Sequence, residues 1–297
     1  MGNSGLQCGY AAIVGRPNVG KSTLLNYLLG QKIAITSRKP QTTRKVLLGV
    51  DTSGSKQVIY VDTPGIHKSD DRAMNKYMVR SALSVFHDVD VLIMLVDRGF
   101  WKSEDELVLR HIKNFKGGRF LAINKIDLLK EKNALLPIID RHRDAGCFDQ
   151  IFPISALNSQ GLDPLRGAVM EVLPEQPHFF PPDHITDQSE RFLVSEIIRE
   201  KLMRNFGDEI PHRAAVVIEQ YKDKGHLLDV VAEIYVERTG QKRILIGKNG
   251  EGLKRIGIES RLDIERLVGK KVMLRLWVKV KRGWTNEISA LKRMGYD

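Results

Sequence analysis

Gly15-Arg16-Pro17-Asn18-Val19-Gly20-Lys21-Ser22 is the stretch from which the rest of the chain is read. Gly, four residues, then Gly-Lys-Ser is the spacing of a phosphate-binding loop. Before it runs Tyr10-Ala11-Ala12-Ile13-Val14, apolar as a buried parallel strand is. After it, Thr23-Leu24-Leu25-Asn26-Tyr27-Leu28-Leu29 has helix length and stops at Gly30. In such a strand–loop–helix the glycines let backbone N–H groups turn inward, and the helix N-terminus adds its positive end, so the loop suits an anionic phosphate. Lys21 is placed to reach β- and γ-phosphates, and the Ser22 hydroxyl to ligate Mg²⁺.

The chain has 297 residues, room for two domains, with 42% hydrophobic and 28% charged residues. Its formal charge of +11 is unevenly spread: residues 1–184 carry 24 basic and 19 acidic side chains, 185–237 carry 7 and 11, and 238–297 carry 16 and 6. The last sixty residues thus hold nearly all the excess, the footprint of an anionic partner, nucleic acid first and an anionic membrane second. Two cysteines, Cys8 and Cys147, argue against a disulfide framework and for a reducing compartment. The histidines show no metal-ligand spacing, and no apolar run approaches the roughly 18 residues of a spanning helix. The start, Met1 to Leu6, has neither a secretory pattern nor, with Leu6 where Ser or Thr belongs, a myristoylation pattern. A cytoplasmic protein is expected.

Beyond the first helix, Gln31 to Arg44 is polar, basic and aperiodic, and reads as a long loop beside the phosphates. A threonine there, Thr43 or alternatively Thr42, is positioned to act as a second Mg²⁺ ligand when a γ-phosphate is present. Lys45–Asp51 and Gln57–Asp62 flank the turn-rich Thr52-Ser53-Gly54-Ser55 and predict a hairpin. The second strand ends in Asp62-Thr63-Pro64-Gly65, a carboxylate for Mg²⁺ through water and a Gly65 N–H to sense the γ-phosphate. Val91–Asp97 and Arg119–Ile123 are further buried strands, the latter running into Asn124-Lys125-Ile126-Asp127. Asp127 there can accept from both N1–H and N2–H₂ of guanine, a pair of donors that adenine lacks. Asn124 and Lys125 hold the base and the loop. Ile151–Ile154 leads to Ser155-Ala156, whose backbone is within reach of guanine O6 in this arrangement.

These five segments in this order resemble the small GTPase fold of the translation-factor-related class. Asn18, with Thr42-Thr43-Arg44, is similar to the Era-like subgroup, whose members with that Asn can use K⁺ near the phosphates. Ile66 stands where Ras-type proteins carry a water-positioning Gln, again as in that subgroup, which implies no side-chain base at this position.

Pro174 to Pro182 has four prolines in nine residues and reads as a stiff linker. Beyond it, Arg191–Phe206 has helical spacing, and Ala214–Gln220 with Leu227–Arg238 read as a hairpin, with Leu228, Val230, Ala232, Ile234 and Val236 on one face. Then comes Ile246-Gly247-Lys248-Asn249-Gly250, followed by Lys254 and Arg255. Gly-x-x-Gly between helices is the loop with which KH domains clamp single-stranded backbone. The strand Lys271–Lys281 sends Val272, Leu274, Leu276, Val278 and Val280 one way and Arg275, Trp277, Lys279 and Lys281 the other; Trp284 to the end is expected as a short basic helix. Helix, two strands, two helices and a strand resemble the type II KH fold. The pairing with a GTPase domain is that of the Era-like ribosome-assembly GTPases. That resemblance alone implies binding near the 3′ end of 16S rRNA, a role in small (30S) subunit assembly and, in some members, peripheral membrane association.

The expectation is therefore an α/β P-loop GTPase domain over 1–173, with a doubly wound, mostly parallel sheet of about six strands. A proline-rich linker at 174–184 joins it to an α+β type II KH domain over 185–297. The reaction is GTP hydrolysis to GDP and phosphate, with Lys21, Thr43 and Gly65 catalytic, Mg²⁺ at Ser22, Thr43 and Asp62, and K⁺ near Asn18. A monomer is expected. The competing readings are an RNA-binding module using GTP only as a ligand and a membrane-surface GTPase anchored by its basic tail. Replacing Asp127 by Asn should shift preference from guanine to xanthine nucleotides, because xanthine has a carbonyl where guanine has its N2 donor; competition binding of GDP and XDP checks this, and retained GDP preference would overturn the assignment of Asn124–Asp127.

Overall fold

The computed structural model describes residues 5–37, 39, 42–66, 73–131, 135–144, 146–207, 210 and 213–293. The chain forms two compact units. The first comprises Met1–Ala34, Thr43–Asp70 and Tyr77–Asp187, the second Ile35–Thr42, Asp71–Lys76 and Gln188–Asp297.

In the first unit, β1 (Gln7–Val14), β2 (Leu47–Ser53), β3 (Lys56–Asp62), β4 (Val91–Asp97), β5 (Gly118–Asn124) and β6 (Gln150–Pro153) form one sheet in the order β2-β3-β1-β4-β5-β6. Only β2 runs antiparallel, joined to β3 through a turn at Gly54, whose φ of 60° suits glycine. The continuous apolar run Val91–Val96 is completely buried, as expected for a parallel strand covered on both faces. Ala12, Val14, Leu92, Met94 and Val96 share a core with Ala82 of α2 (Ala73–Ser84), Val108 and Ile112 of α3 (Ser103–Lys113) and the partly buried Ile138 and Ile139 of α4 (Leu136–Asp144). Helices α1 (Lys21–Leu28) and α5 (Leu162–Glu171) lie against β3. β1 pairs with β3 on one side and β4 on the other. The chain order therefore reverses at its carboxyl end, where α/β sheets open a crevice for ligands.

The proline-rich stretch read as a linker lies along this first unit. Pro174 O accepts from the Cys8 N–H at 3.1 Å, and Ile185 O from Val50 N–H at 2.8 Å. The buried Gln57 amide accepts from the N–H groups of Phe179 (2.9 Å) and Phe180 (3.0 Å) and donates to Phe180 O at 2.8 Å. Phe179 stacks on Tyr10 with centroids 5.5 Å apart.

In the second unit, α6 (Glu190–Asn205) is capped by Ser189 and followed by β7 (Ala215–Asp223), β8 (Leu227–Val236), α7 (Thr239–Ile246), α8 (Glu251–Val268) and β9 (Lys271–Val280). β8 is central, antiparallel to β7 and parallel to β9. Its face of Leu228, Val230, Ala232, Ile234 and Val236 packs with Val194, Ile198 and Leu202 of α6 and Ile256 and Ile264 of α8. On β9, Val272 and Val278 are buried, Leu274 and Leu276 partly buried, and Arg275, Trp277 and Lys279 exposed; Val280, expected with the inward set, is exposed at the strand end. The expected helix from Trp284 onward is also corrected. Trp284 sits in a turn, fully buried with its indole N–H donating to Arg213 O at 3.3 Å, and among the described residues helix α9 spans Ile288–Arg293. An apolar ring that finds a buried slot stays there and delays the helix. No helix of the described residues is long and apolar enough to cross a membrane.

Candidate nucleotide site and Gly-x-x-Gly loop

Lys21 opens α1 and is 6% exposed. Its Nζ donates to Gly15 O and Arg16 O, both at 3.1 Å. Burial lowers its pKa from 10.5 to about 8 against the opposing pull of Asp62. Gly20, the residue before α1, has φ 105°, and a Cβ there would come within 2.3 Å of the Asn124 amide. Asn18 also has a left-handed φ, 64°.

The three residues expected to ligate Mg²⁺ meet. Ser22 Oγ donates to Asp62 Oδ2 at 2.7 Å and lies 2.8 Å from Thr43 Oγ1, which reaches the same carboxylate oxygen at 3.3 Å. The other oxygen, Asp62 Oδ1, is buried with no partner among the described residues. Burial pushes the Asp62 carboxyl up, opposed by Lys21 and the two hydroxyls. Two hydroxyls beside a carboxylate with a spare buried oxygen are a hard-oxygen set that fits Mg²⁺. Of the two threonines, Thr43 stands here; the Thr42 hydroxyl instead donates to Lys39 O at 2.7 Å, inside the second unit. There the Thr36 N–H donates to Glu200 Oε1 at 2.9 Å, and Arg199 donates to Thr42 O. The long loop is thus divided between Thr42 and Thr43.

Beyond Asp62, the Thr63 hydroxyl donates to Ile13 O at 2.9 Å, and Pro64 is buried. Gly65 packs on the loop so closely that a Cβ would lie 2.6 Å from Pro17 N. The Ile66 N–H donates to Gly15 O at 3.2 Å, and its side chain is buried in the core.

At the other strand ends, Asn124 Nδ2 donates to Val19 O at 2.7 Å, tying the Asn124–Asp127 loop to the Gly15–Ser22 loop. Its Oδ1 accepts from the Lys125 N–H (2.8 Å) and the Ala156 N–H (2.9 Å). The Ser155 hydroxyl donates to Asp127 Oδ1 at 2.6 Å. The backbone N–H of Ala156, expected to face the base, is thus engaged by Asn124. Lys125, at φ 65°, donates through Nζ to Asp97 Oδ2 at 2.9 Å. Burial raises the Asp97 pKa, but hydrogen bonds from Lys125 and Arg98 outweigh it and hold the carboxyl below its usual range. Asp97 was legible only as a strand end; its pairing depends on β4–β5 register, in which Asp97 stands opposite Asn124.

In the second unit, Gly247 (φ 75°), Asn249 (φ 53°) and Gly250 (φ 80°) turn the chain from α7 into α8. Lys248, Asn249, Lys254 and Arg255 are exposed, and Ile246 packs against the core. A Cβ on Gly247 would lie 2.9 Å from Gly252 N, whereas one on Gly250 would meet nothing within 4 Å. Gly252, which the motif does not specify, lets the helices approach: its Cβ would come within 2.7 Å of Leu245 O.

Residues 10–125 match the family described as "50S ribosome-binding GTPase", and residues 209–285 match the KH domain family. The chain is 52% identical over 294 residues to GTPase Era of Pseudomonas entomophila, covering 99% of this chain and 98% of that one. It is 54% identical over 289 residues to GTPase Era of Marinobacter nauticus, covering 97% and 95%. A crystal structure of an Aquifex aeolicus Era variant bound to GDP·AlF₄⁻ superposes with a TM-score of 0.93 at 39% identity, covering 98% of this chain and 99% of that one. An Era complex with MgGDPNP and nucleotides 1506–1542 of 16S ribosomal RNA gives the same TM-score, identity and coverage. With a phosphate loop at the end of β1, four further loop segments around it and a Gly-x-x-Gly turn between α7 and α8, the chain belongs to the Era family of GTPases, a GTPase domain followed by a KH domain.

Proposed function

We propose that this GTPase binds single-stranded rRNA near the 3′ end of 16S rRNA through its KH unit and acts in assembly of the small ribosomal subunit. The observation that carries the reading is the full-length similarity to the Era complex with 16S rRNA nucleotides. The basic excess of residues 238–297 and the exposed Lys248, Lys254 and Arg255 support it. In this reading the proline-rich stretch over 174–184 leads from the first domain, on which it is docked, to the second, and the protein works as a cytoplasmic monomer.

For the nucleotide, Gly15 to Thr23 cradle the phosphates and Lys21 neutralises the β- and γ-phosphates. Ser22 and Thr43, with Asp62 in support, hold Mg²⁺. When bound, Mg²⁺ supplies positive charge against the phosphate oxygens. Gly65 reads the γ-phosphate through its backbone, beside Thr63 and Pro64. Asn124, Lys125 and Asp127 select guanine, with Ser155 and Ala156 bracing them. Ile66 offers no base for the attacking water, so intrinsic turnover is slow. Asn18 is assigned to K⁺, which adds a positive charge. Turnover in KCl should then exceed that in NaCl at equal ionic strength, and equal rates would remove K⁺ from the mechanism.

Because the Lys21 pKa lies at about 8 in the free protein, phosphates that raise it draw a proton onto the complex above that pH. Nucleotide affinity should be flat in this respect below pH 8 and then fall by up to about tenfold per pH unit. In the absence of nucleotide the sign reverses: the unfolded chain keeps the proton up to pH 10.5, so folding gains as pH rises from about 8 to 10.5. Calorimetry of GDP binding at pH 8.5 in buffers of different ionisation heat should record proton uptake; none would place the Lys21 pKa elsewhere.

The RNA reading is tested at Gly250, where a side chain meets no atom of the chain itself, although its φ of 80° favours glycine. Gly250→Asp, adding bulk and negative charge at the clamp, should abolish RNA binding at low salt and leave GTP turnover intact. Lys254→Ala should weaken binding and flatten the salt slope by about 0.7, one phosphate's worth. If Gly250→Asp binds RNA like the parent while both bind anionic liposomes, the membrane-surface reading replaces this one.

A further inference from the structure

Helix α3 reaches the phosphate loop through one buried ion pair. Asp105, in its first turn, is completely buried. Its Oδ2 accepts from Arg16 Nε at 3.2 Å and from the Lys102 N–H at 2.9 Å. The Arg16 side chain is itself only 12% exposed. Asp105 Oδ1 is buried without a partner among the described residues. Burial pushes this carboxyl up, opposed by the Lys102 N–H and then Arg16. A carboxylate held this way is costly without its cation, so Arg16 is pinned in place.

The backbone that Arg16 belongs to is crowded with contacts. Gly15 O accepts from Lys21 Nζ and from the Ile66 N–H, Arg16 O accepts from the same Lys21 ammonium, and Pro17 carries the close approach of Gly65. The phosphate-loop spacing leaves position 16 open, so the motif does not account for the pair.

We propose that Asp105 is a positioning residue for nucleotide binding: gripping Arg16 from α3, it holds the Gly15–Pro17 turn in the shape that presents Lys21 and the loop to the phosphates. The inference rests on the phosphate-loop reading above. Asp105 touches no reacting atom; it acts through Arg16. Loop shape serves GDP and GTP alike, in ground and transition states, so its loss is a loss of uniform binding, seen in KM rather than kcat.

Asp105→Asn retains size and an acceptor for the Lys102 N–H while removing the charge. In the full chain it should raise the GDP Kd and the KM for GTP by about tenfold, the scale of a single coupled pair, with kcat within about twofold. The nucleotide-free thermal midpoint should fall in either single variant, which leaves one partner of a buried pair alone, and recover in the double variant. Arg16→Gln should raise KM equally, and the double variant should be no worse than either single, whereas Arg16→Lys should recover part of the affinity. Unchanged nucleotide affinity in Asp105→Asn, or single losses that add in the double variant, would overturn the proposal. Lys21→Ala separates the two levels: if it still turns over GTP, the phosphate-loop reading has failed, whereas a dead Lys21→Ala beside an unaffected Asp105→Asn removes the positioning role alone. Should Asp105→Asn not fold, Asp105→Glu keeps the charge but shifts the grip on Arg16: a raised KM with kcat retained supports the proposal, and a KM like the parent's overturns it.

Discussion

A buried ammonium at the start of α1 is the constraint around which the first unit is built. Burying a charge is expensive unless partners replace water. Lys21 finds two backbone carbonyls and the nearby charge of Asp62, and its pKa still falls to about 8. That residual deficit is what an anionic phosphate satisfies. Sheet register supplies the rest. Ile13 stands opposite Asp62 across the β1–β3 pair, and Asp97 opposite Asn124 across β4–β5. Parallel strands all end on the same edge, so loops distant in sequence converge there.

In the second unit, small residues and exposed charge shape the turn between the two helices. Gly252 brings α7 and α8 close, and the left-handed Gly247 and Gly250 open a turn with exposed basic side chains. On the outer face of the sheet the basic residues meet carboxylates: Arg275 pairs with Asp229 at 2.7 Å, and Lys279 with Glu233. Charge on that face is locally balanced. The helical turn, by contrast, exposes Lys248, Lys254 and Arg255.

The strands were readable to within a few residues because a parallel sheet demands uninterrupted apolar runs and a half-covered sheet demands alternation, both of them local patterns. Trp284 was misread for the opposite reason. A helix-compatible tail says nothing of a slot at Arg213, some seventy residues upstream, that captures its ring. The proline-rich stretch likewise reads as a spacer from composition, while its docking depends on Gln57, a single buried amide on a distant strand.

By itself the sequence determined the two-domain order, the five segments that meet at the sheet's carboxyl edge and the Gly-x-x-Gly turn, because each is short chemistry at fixed spacing. Tertiary structure decided which threonine joins Ser22 and Asp62, that Asp97 holds Lys125, and that Asp105 holds Arg16 from 89 positions away. Those pairings follow from strand register and helix docking, which arise from the packing of the whole unit and leave no local pattern in the chain.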